Sequence, residues 1–149
     1  MTRRAPKSVL RRIIRIANRI LPGEASADDE ICPRWQIIIA IGEYIETDPE
    51  PIWKFISRWG PSSDEDLRSA VACCLLEHLL QHHFEQFIER VERKAVRSNH
   101  FRKMVAGCWE FGQSDLPEHR VRFRKLTGQD KIDSLLAELD NGQDYGAPA

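Results

Sequence analysis

The side chains with the widest chemical repertoire in this chain stand in one stretch: Cys73, Cys74, His78, His82 and His83. Cys74, His78 and His82 recur every four residues, so on a helix they share a face, with Glu77 beside them. Zinc takes Cys and His ligands in tetrahedral sets, whereas one helix face offers an ion only two adjacent side chains. Further ligands would have to come from Cys32, Cys108, His100 or His119, and none of these stands at a metal-site spacing. No metal and no cofactor is therefore expected, and Cys73 and Cys74, about 100° apart on a helix, read as buried thiols. The sequence has no Gly-rich phosphate loop, nucleophile elbow or His-Glu-x-x-His motif. Carboxylate pairs such as Glu43 and Glu46 are what a solvated helix face of an acidic chain carries. No catalytic residue is assigned, and a non-enzymatic role is expected.

The elements that must position these residues are helical throughout. At 149 residues the chain has the size of one ordinary domain, read as 1–140 with a disordered tail at 141–149. "RWQIIIAIGEYIETD" (34–48) could be a strand, because Ile is β-branched, but Trp35, Ile38, Ile41 and Ile45 fall at helical intervals. "PEPIWKFISRWG" (49–60) gives a helix with Pro in its first turn, an apolar face of Ile52, Trp53, Ile56 and Trp59, and Gly60-Pro61 as its stop. Ser62, Ser63 or Asp64 can cap the next helix, which reaches His83, and "HFEQFIERVERKA" places Phe84, Phe87, Ile88, Val91 and Ala95 on one face with acids and bases on the other. Ser98 or Asn99 caps a helix whose apolar stripe is Phe101, Met104, Val105, Cys108 and Trp109. Two C-terminal helices (117–140) follow, the first from Pro117 to Gly128 and the second with Ile132, Leu135, Leu136 and Leu139 at helical spacing.

Charge is unevenly spread. Residues 1–23 hold seven of the 22 Lys and Arg and no acid, which leaves 15 bases against 23 acids in the remainder. On a helical wheel, residues 8–21 separate an apolar arc of Ile, Leu, Val and Ala from a polar arc carrying Arg11, Arg12, Arg15 and Arg19. This amphipathic basic helix is expected to dock on the fold or to contact an anionic surface, membrane or nucleic acid; an Arg-rich transit segment is the third reading, weakened by Thr2 and Ser8 being its only hydroxyl residues. It lacks the apolar core of a secretory signal, and no stretch of about 18 apolar residues could span a membrane. The cysteine pattern is not that of a disulfide framework, so a reducing, cytoplasmic location is expected.

Arg34, Arg68 and Arg102 lie 34 residues apart, with Ile37, Val71 and Val105 three places on, Ala40, Cys74 and Cys108 six places on, and Ile41, Leu75 and Trp109 seven places on. Over residues 28–112 this pattern resembles HEAT-type helical repeats, in whose second helix an Arg is followed by apolar residues at such offsets, as in "RWQIIIAIG". The resemblance implies three repeat units in a short right-handed α-solenoid of stacked antiparallel helix pairs. It further implies that the arginines form a structural ladder with the acids ahead of each helix, "SADDE" and "SSDED". A concave face lined by second helices would then carry Glu43, Glu46, Glu77, His78, Gln81, His82 and Glu110. The function expected on that basis is a protein-protein interaction module, an adaptor or an immunity-type protein, holding a basic partner protein on an acidic surface. The alternative is an adaptor docked through the basic helix. Four tryptophans invite comparison with helical-repeat DNA glycosylases, but the repeat region is acidic where those clefts are basic.

Overall fold

The computed structural model describes residues 7–23 and 32–142, and every regular element among them is helical. In order these are α1 (Lys7–Ile20), α2 (Pro33–Gly42), α3 (Pro49–Trp59), α4 (Glu65–Val71), a π-turn (Ala72–Leu76), α5 (Glu77–Arg97), α6 (Asn99–Ala106), a 3-10 turn (Gly112–Asp115), α7 (Pro117–Thr127) and α8 (Gln129–Gly142). The expected acidic loop "SADDE" and most of the expected C-terminal tail lie outside the described residues.

Local chemistry sets most boundaries. Pro33, Pro49 and Pro117 occupy first-turn positions, where the missing N–H costs nothing. Asp64 and Ser98 accept the Leu67 and Phe101 N–H groups, each at 3.1 Å, and so cap α4 and α6. Gly128, at φ +83°, closes α7 in the left-handed conformation. The isoleucine run is helix, with Ile38 and Ile41 buried on α2, and Ile45 buried in the turn that follows it. That helix stops at Gly42, short of Asp48, and Glu43–Thr47 form turns. Helix α6 likewise stops at Ala106, so Trp109 leaves the expected apolar stripe and is 74% exposed, while Cys108 stays buried.

A single apolar cluster runs from Leu10 to Phe123. At its centre, Leu67, Ala70, Val71, Ala72, Leu75, Leu76, Leu79 and Leu80 are all buried, because α4, the π-turn and the start of α5 are enclosed by α2, α3 and α6. Helix α1 packs on α2 through buried Leu10 and Ala17, with buried Leu21 following, and Trp59 Nε1 donates to Asn18 Oδ1 at 2.9 Å. Phe123 anchors α7, whereas α8 rests chiefly on α7 and buries none of its side chains.

Helix α5 breaks at His83, where φ −138° and ψ 44° leave the helical region. A break orphans backbone groups, and Gln113 of the 3-10 turn satisfies them: its Nε2 donates to the His82 carbonyl (2.7 Å) and its Oε1 accepts the Phe84 N–H (2.9 Å). Gly112 makes that approach feasible. Its φ is +60°, and a Cβ there would lie 2.3 Å from Gln81 Cγ.

The three equally spaced arginines do not repeat one role. Arg34 is buried and donates to Asp64 (2.8 Å), Asp66 (3.3 Å) and the Leu21 and Gly23 carbonyls (3.3 and 2.6 Å), tying the end of α1 to the start of α4. Arg68 donates to the Ser62 carbonyl at 2.8 Å and meets His100 at 3.4 Å. Arg102 is exposed, and among the described residues its side chain bonds only its helix neighbour Asn99. A ladder requires equivalent rungs, and only Arg34 joins acids ahead of the next helix.

Candidate functional site

Gly42 sets the site. A Cβ on it would come within 3.0 Å of the Cys74 carbonyl, so the glycine lets the end of α2 close on the π-turn. Beside that contact, Ile39, Glu43 and Glu46 from α2 and its following turn face His78 and His82 from α5, around an open cleft of about 410 Å³. His82 Nε2 lies 3.3 Å from Glu46 Oε1, and His83 Nε2 donates to the Ile45 carbonyl at 2.9 Å, fastening α5 to the turn. His78 Nδ1 lies 3.0 Å from Gln81 Oε1, with its ring against Phe111. The lining contains two carboxylates, two imidazoles and an exposed isoleucine, and no Lys or Arg. Its chemistry suits a cationic side chain whose aliphatic stem lies on Ile39.

Four of the seven residues expected on an acidic face meet here: Glu43, Glu46, His78 and His82. The other three are placed differently. Glu77 is buried and accepts the Trp109 N–H at 2.9 Å, holding the chain beyond α6. Burial pushes its carboxyl up, against the Trp109 N–H and His78. Gln81 supports His78 and packs against Gly112. Glu110 is held by Arg124 (2.9 and 3.1 Å) and Arg120 (3.4 Å), beside Trp109 and Phe123 in a separate depression. Four of the seven thus line one cleft, while Glu110 is paired with arginines of α7 and Glu77 is drawn inward.

Cys74 does not join the histidines. The π-turn adds a residue to the helical turn, so the i, i+4 register assumed from Cys74 to His78 does not run through it. Burial, then Cys73 and Glu77, push the Cys74 thiol up to about 11, and burial raises Cys73 and Cys108 as well. None of these three is a ready thiolate at neutral pH. Among the described residues no group of three or more His, Cys, Asp and Glu side chains could hold a metal ion. No helix among them is long and apolar enough to cross a membrane.

Arg11, Arg12, Arg15 and Arg19 are all exposed on α1, and none makes an ion pair or side-chain hydrogen bond with another described residue. Arg11 and Arg15 flank a groove between α1 and α3, opposite Lys54 and Arg58. Sequence reasoning passed over Ile39, Lys54 and Arg58. The i, i+4 spacing of the two bases on α3 was an available signal, and so was the place of Ile39 off the Ile38–Ile41–Ile45 face.

Comparison with known proteins corrects the repeat resemblance. No HEAT or armadillo family is matched, in keeping with the three dissimilar arginine environments. No curated protein and no solved structure matches the chain. Residues 23–129 match the model described as Family of unknown function (DUF6869), a span that takes in α2 to α7 and the whole cleft, and the chain belongs to that family.

Proposed function

We propose that this protein is a non-enzymatic protein-binding module that holds a basic segment of a partner protein in the cleft between α2 and α5. The observation that carries this reading is the convergence of Glu43, Glu46, His78 and His82 around exposed Ile39 with no Lys or Arg in the lining. Two carboxylates on a partly apolar rim give a Lys- or Arg-rich segment both attraction and a surface for its stems. Adaptor and immunity-type roles both use such a surface. A cytoplasmic location goes with it, supported by Cys73, Cys74 and Cys108, which form no disulfide. A photo-crosslinking amino acid in place of Ile39, expressed in the native cell, tests the reading. Light-dependent adducts on Lys- or Arg-rich peptides are expected from that position and not from exposed Val96 on α5. Equal adducts from both positions, or none from either, would count against it.

A second reading, contact with nucleic acid or anionic lipid through Arg11, Arg12, Arg15 and Arg19, is favoured by the exposure of all four and by Val9, Ile16 and Ile20 beside them. Its mark would be binding that falls steeply with salt and survives reversal of Glu43 and Glu46.

A further inference from the structure

We infer that the protein self-associates by placing α8 of one copy in the groove between α1 and α3 of another. Among the described residues, no other element covers the apolar stripe of α8 or fills the groove between α1 and α3. The groove, about 510 Å³, has an apolar floor of Ile14, Pro51 and Phe55. Along its rims stand Arg11 and Arg15 at i, i+4 on α1, and Lys54 and Arg58 at i, i+4 on α3. All four bases are exposed and none is within 4 Å of an acid among the described residues, although Glu50 feels the charge of Lys54 and Arg58 lies over the Trp59 ring at 5.0 Å. An apolar channel between two rows of exposed cations, none in a close ion pair, fits an amphipathic helix with acidic flanks.

Helix α8 has that character. Ile132, Leu135, Leu136 and Leu139 form one stripe at i, i+3, i+4 and i+7, and each is more than half exposed. At 100° per residue, Asp133 and Asp140 flank the stripe on one side and Glu138 on the other. With one lysine and four acids the helix carries a net charge of −3, and Glu138 and Asp140 have no partner among the described residues. Length matches as well. The apolar stripe and the α1 wall from Arg11 to Asn18 each cover seven residue steps, roughly 10 Å of helix.

One helix in one groove is a small interface. Reciprocal exchange between two chains doubles it and closes the assembly, whereas one-way docking would extend into open filaments. The surface is distinct from the acidic cleft, so the two can be tested separately.

Sedimentation of the full chain over a wide concentration range tests the inference. A species of twice the 17.3 kDa chain mass is expected to grow with concentration and to weaken in salt. Leu135→Glu with Leu136→Glu on α8, and Arg15→Glu with Lys54→Glu in the groove, should each weaken association at least tenfold while leaving the helical circular dichroism intact, since all four side chains are exposed. Mixing the groove variant with Glu138→Lys, Asp140→Lys should restore a mixed pair. A full chain that stays monomeric at every concentration would overturn the inference, as would association that survives both double variants. Monomeric protein that binds phosphatidylserine vesicles and loses them on groove reversal would overturn it in favour of an anionic surface.

Discussion

Replacing Arg34 by Leu removes a side chain that is 4% exposed and that serves two carboxylates and two backbone carbonyls. Breaking a fully buried ion pair costs about 3–5 kcal/mol, and an orphaned buried acceptor about 1–3. Asp64 and Asp66 are 41% and 43% exposed, so water can rehydrate them, and the expected loss falls to about 2–4 kcal/mol. For a chain of this length that corresponds to roughly 2–4 °C in Tm per kcal/mol. Urea unfolding followed by tryptophan fluorescence reads the change directly, because Trp35 Nε1 donates to the same Asp66 at 3.0 Å. Arg102→Ala is the matched control. Its partner is Asn99 on its own helix and its side chain is in solvent, so the cost should stay within about 0.5 kcal/mol. Equal losses at the two positions, or a loss under about 1 kcal/mol for Arg34→Leu, would refute the view that Arg34 alone clamps α1 to α4.

Gly112→Ala should destabilise by about 2–4 kcal/mol, since it adds a left-handed φ penalty to a 2.3 Å clash with Gln81, whereas Gly128→Ala meets nothing within 4 Å and should cost only the φ term; thermal melts compare them. Burial holds the Glu77 carboxyl above its usual range, so the folded state keeps that proton to higher pH than the unfolded chain, and the group's contribution is present at acid pH and lost as pH rises through the folded value. Glu77→Gln, which still accepts the Trp109 N–H, should therefore be at least as stable as the parent near neutral pH, and its advantage should shrink toward mildly acidic pH; an advantage that grows on acidification would contradict the sign. Deleting residues 1–22 takes Leu10, Ala17 and Leu21 out of the core and breaks the Trp59–Asn18 bond, and a loss of cooperative unfolding is expected. A truncated chain melting within a few degrees of the full one would show that α1 is merely attached.

Boundaries were legible in the sequence wherever one residue's own chemistry decides them, as at Pro49, Asp64, Ser98, Pro117 and Gly128. The break at His83 was not legible, because the Gln113 bridge that satisfies it comes from about 30 residues away and leaves no local mark. Glu43, Glu46, His78 and His82 were identified as one surface through a repeat pattern that does not hold. What joins them is the close approach of Gly42 to the π-turn, and no helical wheel shows that. Glu77 was placed beside the Cys74–His78–His82 face, because that spacing assumes a regular helix through Ala72–Leu76. Glu110 looked free because Arg120 and Arg124 reach it from another helix.

The most direct test of the central claim reverses Glu43 and Glu46 to Lys in the chain carrying the photo-crosslinker at Ile39. Both carboxylates are exposed, so the fold should be kept, and the helical circular dichroism verifies that. If the cleft holds a basic segment, adducts on Lys- or Arg-rich peptides fall at least tenfold, while reversal of exposed Glu118 on α7 leaves them unchanged. Adducts of undiminished yield on the same peptides after both reversals would contradict the assignment of this cleft as the binding site.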